Sequence, residues 1–115
     1  MIYLASQSPR RRQLLDQLGV RYTLLLPDDA DAAEALEAVR PGEAPAAYVR
    51  RVTRLKLDDA VRRLRERAWP PAPVLCADTT VALGRDILGK PADAADAAAM
   101  LRRLAGATHR VITAV

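Results

Sequence analysis

A chain of 115 residues, half of them apolar, has enough material for one domain with an ordinary core and does not have the composition of a disordered segment. Its aromatic residues are Trp69, Tyr3, Tyr22 and Tyr48, with no Phe, which is too few rings for a nucleic-acid reader built on stacking platforms. A net charge of +4, from 18 basic and 14 acidic residues, favours anionic partners without naming one.

Residues 1–5 are apolar and bounded by Ser and Pro, as expected of a strand opening an α/β unit. Ser8 before Pro9 suits an N-cap followed by proline at the first helical position, and Leu14, Leu15 and Leu18 carry the helix until Gly19 closes it. Residues 20–26 read as a second strand. The acidic, alanine-rich stretch from Pro27 to Pro45 reads as a loop with a short helix over 32–38 and a turn at Pro41-Gly42. Residues 46–68 follow a helical period, with Leu57, Val61, Leu64 and Ala68 on one stripe and Val49, Val52 and Ala60 on an adjoining one. Lys56 falls within that second stripe, so its side chain is expected at a core edge or a cleft.

Pro70-Pro71 is expected to end this helix. Residues 74–77 read as a strand that 80–83 continues or pairs with, and a turn lies between Gly84 and Gly89. Asp93 starts a helix over 94–104 with Met100, Leu101 and Leu104 as its apolar contacts, and Gly106 ends it. Residues 109–115 alternate as a strand. The strand stops at Val115 within an apolar run, which implies a continuation or a partner. We find no repeat or internal boundary, so 1–115 is one domain. The lone Cys76 excludes an internal disulfide, and no apolar run approaches a membrane span or a signal-peptide plan. The chain is read as cytoplasmic, with no membrane and no nucleic-acid partner.

Three constellations could carry chemistry. Ser6-Gln7-Ser8-Pro9-Arg10-Arg11 sits at a strand-to-helix junction, where free backbone N–H groups, hydroxyls and forked guanidinium donors suit phosphate oxygens. A capped helix with a solvated basic face is the competing reading, and local sequence alone favours it. Asp78, in Ala77-Asp78-Thr79-Thr80, follows an apolar strand, where a carboxylate holds a divalent metal, takes a proton from water or merely caps a turn. Lys90, in Leu88-Gly89-Lys90-Pro91, suits a phosphate as a point charge or stands as an ordinary turn lysine. His109, the single histidine, gives little support to a zinc site or a Ser-His-Asp hydrolase.

The order of these elements, L-A-S-x-S-P-R-R, Y-V-x-R-x-x-x-x-K, A-D-T, G-K-P and L-x-x-L-x-G-x-x-H-x-V-x-T-x-V, resembles the Maf family of nucleoside triphosphate pyrophosphatases from Ile2 to Val115. The resemblance implies a mixed, twisted α/β sheet with flanking helices, related to the inosine-triphosphate pyrophosphatases. It implies cleavage of a nucleoside triphosphate between the α and β phosphates, as nucleotide house-cleaning, with a divalent metal such as Mg or Mn. Ser6, Arg10, Arg11, Lys56 and Lys90 are then the phosphate contacts and Asp78 the proton acceptor and metal ligand. Arg10 after Ser-Pro and Thr79 after that Asp look like the branch acting on dTTP and UTP. The family commonly carries an Asp-Glu pair after the second strand, and Asp31 is the best match here to that Glu at the metal. Whole members also carry a later A-Y-G-I-Q-G-like segment that residues 1–115 lack, so the resemblance is to an N-terminal portion with an incomplete C-terminal half. The alternative is a catalytically silent chain that binds phosphates or self-associates, as a homodimer for example, through an open sheet edge.

Overall fold

The computed structural model describes residues 1–115, and it realises the expected mixed α/β fold as two three-stranded sheets. Strand β1 (Ile2–Leu4) leads into helix α1 (Pro9–Gln17) and returns as β2 (Tyr22–Leu24). The short helix α2 (Ala30–Ala35) and the long helix α3 (Pro45–Glu66) then precede β3 (Val74–Leu75). These three strands pair in parallel in the order β2-β1-β3, with Ile2 opposite Tyr22 and Tyr3 opposite Val74. A central parallel strand is covered on both faces, and Tyr3 and Leu4 are accordingly buried.

The chain then crosses into an antiparallel sheet. Strand β4 (Asp78–Leu83) lies between β5 (Asp86–Leu88) and β6 (Arg110–Ala114), with helix α4 (Ala94–Leu104) joining the two edge strands. Helix α3, 22 residues and so about 33 Å long, packs on β3, β4 and β6 and ties the sheets together. Its buried positions are Pro45, Tyr48, Val49, Val52, Thr53, Ala60, Arg63 and Leu64. The stripe of Val49, Val52 and Ala60 is buried throughout, whereas of the other stripe Leu64 is buried, Leu57 and Val61 are half-buried and Ala68 is exposed. Tyr3, Leu25, Ala60, Leu64 and Cys76 form a buried hydrophobic cluster, with Trp69 and Val74 against it. Burial pushes the Cys76 thiol up to about 11, so it stays protonated and unreactive at neutral pH.

Several local expectations change. Ser8 stands at the N-cap of α1 by backbone geometry, yet its hydroxyl makes no capping bond; its N–H donates instead to Ser6 Oγ at 3.2 Å. The short acidic helix begins two residues earlier than expected because Asp29 Oδ1 caps it, accepting from the N–H groups of Asp31 and Ala32. Helix α3 ends before the prolines, at Glu66 with Arg67 as its C-cap, and Ala68 then takes a left-handed backbone with φ 52°. Helix α4 starts at Asp93 as read, its Oδ1 accepting from Asp96 N–H, but buries nothing: Leu101 is 67% exposed.

Candidate functional site

The carboxyl ends of the parallel strands face one way, and the chain leaving each of them contributes to a single cleft of about 490 Å³. Ser6 and Ser8 follow β1, Pro27 follows β2, and Asp78 follows β3 at the start of β4. Such ends are where open α/β sheets bind ligands. Helix α3 supplies the floor: Lys56, Asp59 and Arg63 lie three and four residues apart and so share one face.

At one end of the cleft, Ser6 is buried, and its Oγ accepts from Ser8 N–H and from Arg11 Nη1 at 3.2 Å. Arg11 Nη2 donates to Thr79 Oγ1 at 3.3 Å, and Thr79 Oγ1 lies 2.9 Å from Thr113 Oγ1 on β6. The guanidinium therefore bridges the two sheets and keeps its forked face at the cleft. In the middle, Lys56 Nζ donates to Glu37 Oε1 at 2.6 Å and lies 3.5 Å from Asp78 Oδ1. One ammonium is thus shared between two carboxylates, with the shorter contact to Glu37. Lys90 lies at the exposed rim and makes no ion pair.

Six of the sequence-derived residues, Ser6, Arg11, Lys56, Asp78, Thr79 and Lys90, therefore line one cleft. Two do not. Arg10 is exposed on α1 outside the lining, because consecutive helical residues point about 100° apart and Arg11 takes the inward direction. Asp31 is exposed in the first turn of α2, where the Asp29 cap fixes it, and it also lies outside the lining. The carboxylate that reaches Lys56 is Glu37, six residues further on.

Sequence reasoning also missed Asp59 and Arg63, although their spacing from Lys56 was a signal available in α3. Arg63 is buried; its Nη1 donates to Asp59 Oδ2 at 2.7 Å and its Nη2 to the Leu25 carbonyl at 3.0 Å, while Nε has no partner. It holds the end of β2 to α3 beneath the cleft. The cationic side chains lining the space are Arg11, Lys56, Arg63 and Lys90, and the acidic ones are Glu34, Glu37, Asp59 and Asp78. Four charges of each sign leave the cleft close to neutral, despite the basic balance of the whole chain.

The Maf-like protein family matches the chain over residues 1–115. The chain belongs to this family. A dTTP/UTP pyrophosphatase of Albidiferax ferrireducens is 71% identical over 114 residues, which are 99% of this chain and 57% of that protein. A dTTP/UTP pyrophosphatase of Cupriavidus pinatubonensis is 66% identical over 114 residues, again 99% of this chain and 57% of that protein. One from Burkholderia pseudomallei is 66% identical over 114 residues, 54% of its length. This Maf-like chain therefore spans a little over half the length of the curated relatives it matches, and no helix in it is long and apolar enough to cross a membrane.

Proposed function

We propose that this cleft hydrolyses nucleoside triphosphates, dTTP and UTP foremost, to the monophosphate and pyrophosphate. The observation that carries the reading is the Glu37–Lys56–Asp78 group at 2.6 and 3.5 Å, facing Arg11 and Lys90 across one space. The names of the relatives, dTTP/UTP pyrophosphatase, support the same activity.

The chemistry follows from these positions. Arg11, Lys90 and Lys56 donate to the phosphate oxygens of the substrate. Asp78 accepts a proton from water as the water oxygen bonds to the α-phosphorus. The bond from that phosphorus to the bridging oxygen breaks, and its electron pair leaves with pyrophosphate, whose growing charge the cations stabilise. Ser6 keeps Arg11 aimed inward through the bond at 3.2 Å.

The lining also fits a divalent cation brought in with the substrate. Glu37 and Asp78 are hard oxygen donors, and no three acidic, histidine or cysteine side chains gather to form a closed cage. Mg²⁺ or Mn²⁺ is characteristically held by one or two carboxylates together with substrate phosphates. A near-neutral cleft needs added positive charge to accept a triphosphate. When bound, the ion would supply that charge and Lewis acidity towards the phosphates.

Thr79 is proposed to contribute to nucleotide preference, through the bonds that tie it to Arg11 and Thr113; Arg10, outside the lining, contributes none directly. Assayed for pyrophosphate release with Mg²⁺ across a nucleotide panel, the protein should turn over dTTP and UTP at least about 10-fold faster, in kcat/KM, than purine triphosphates, a difference of about 1.4 kcal/mol. Equal turnover of all nucleotides would refute the assigned preference.

A further inference from the structure

Glu37 owes its place to groups that do not themselves line the cleft. It follows α2, a helix with no buried residue, and precedes exposed positions 38–42, so little apolar packing holds it. We infer that Tyr48, Arg51 and Glu43 form a clamp that sets where the Glu37 carboxylate stands, which makes them positioning residues of the site. The inference rests on the proposed function only for its catalytic meaning.

The clamp is built on the first half of α3. Tyr48 Oη donates to the Glu37 carbonyl at 2.6 Å, and Arg51 Nη2 donates to the Ala38 carbonyl at 2.8 Å. Two successive carbonyls are thereby tied to one helix. Arg51 is in turn fixed by Glu43 through a two-point pair, Nε to Oε2 at 2.6 Å and Nη2 to Oε1 at 2.8 Å. Glu43 Oε1 also accepts from Arg40 N–H at 3.2 Å, closing the loop on itself. The Arg51 and Glu43 side chains are 19% and 11% exposed, sheltered for a surface pair, and the Arg51 guanidinium lies over the Tyr48 ring at 5.8 Å.

Geometry links this clamp to the cleft. Lys56, the partner of Glu37, lies on the same helix five residues after Arg51, so α3 carries both the anchors of the segment and the ammonium its carboxylate meets. Burial, with the Asp78 and Glu37 carboxylates close by, pushes the Tyr48 hydroxyl above its usual value and keeps it a donor. The Arg51 bond holds the Glu43 carboxyl down at about 2. The pair therefore stays ionised from neutral pH down through the range in which ordinary carboxylates titrate. Its support is fully present above the unfolded Glu value of about 4.3 and is lost as pH falls towards about 2.

The chain holds two lysines, Lys56 and Lys90, so selective ¹⁵N-lysine labelling gives two side-chain ammonium signals, told apart with Lys90→Arg. Glu37→Gln should shift the Lys56 signal, Arg51→Gln should shift it in the same direction, and the double variant should go no further, with Lys90 unmoved. Glu43→Gln, which alters only a loop side chain, should reproduce the effect should Arg51→Gln fail to fold. Magnesium pyrophosphate should bind about 10-fold more weakly to each single variant, again without added loss in the double. A Lys56 signal that ignores Arg51→Gln and Glu43→Gln, or shifts that add in the double variant, would overturn the clamp. Absence of magnesium pyrophosphate binding by the unaltered chain would instead count against the proposed function, with the ammonium signal still deciding the clamp.

Discussion

Replacing Asp78 by Asn should lower the rate of pyrophosphate release from dTTP by about 10²–10⁴-fold while leaving the fold intact, which is the usual span for removing a general base. In free energy this is about 3–5 kcal/mol of transition-state stabilisation. The amide keeps the size of the side chain and its place at the start of β4, but it can neither take the proton of water nor balance Lys56. Glu37, the nearer partner of Lys56 at 2.6 Å, remains to satisfy the ammonium, so thermal unfolding should move little. The loss should fall on kcat more than on KM, because Arg11 and Lys90 still meet the phosphates. Steady-state kinetics on both proteins checks this, and an unchanged kcat would remove Asp78 from the mechanism.

Leu25→Ala should produce the largest loss of stability, about 3 kcal/mol, within the range found for emptying a packed leucine site. Leu25 is 0% exposed and touches the cluster of Tyr3, Ala60, Leu64 and Cys76 where α3 meets the parallel sheet. Its backbone is held independently, by its N–H to the Leu4 carbonyl at 2.9 Å and by Arg63 on its own carbonyl. The surroundings therefore cannot collapse easily into the vacated volume. Urea unfolding followed by circular dichroism should show a lower midpoint at unchanged slope. Leu101→Ala on α4, a site 67% exposed, should change stability by no more than about 0.5 kcal/mol. Equal losses at the two sites would mean that the core does not lie between α3 and the parallel sheet.

The contrast between Leu25 and Leu101 shows where the sequence was informative. Strand β1 and helices α1, α3 and α4 are set by local signals: a bounded apolar run, Pro9 at the first helical position, Asp93 at a cap, and a period of 3.6. Lys56 was legible for the same reason, since a lysine inside an apolar stripe must reach an edge. Local signals say nothing, however, about which helix finds a covering layer, and α4 has the amphipathic pattern without the burial. Strand β5 lies within the turn expected between Gly84 and Gly89, because three residues carry almost no period; its pairing with β4 is what makes it a strand.

The site divides along the same line. Arg10 and Arg11 are equivalent in a motif but differ by one helical step, and direction rather than residue type decides which one lines the cleft. Glu37 has no local signal, because its partner is 19 residues away and the acidic segment that it closes, with Asp28, Asp29, Asp31 and Glu34, offers several equivalent carboxylates. What selects it is the pair of tethers from Tyr48 and Arg51 to the carbonyls of residues 37 and 38, a long-range arrangement that no window of sequence displays.

The central claim, that this one cleft holds a triphosphate and releases pyrophosphate, is tested most directly by ³¹P NMR of dTTP incubated with the protein and Mg²⁺. The account predicts that the three triphosphate resonances give way to those of dTMP and pyrophosphate, and that Asp78→Asn slows the change by at least about 10²-fold. Appearance of dTDP and orthophosphate, or triphosphate resonances left unshifted and intact at stoichiometric protein, would contradict it.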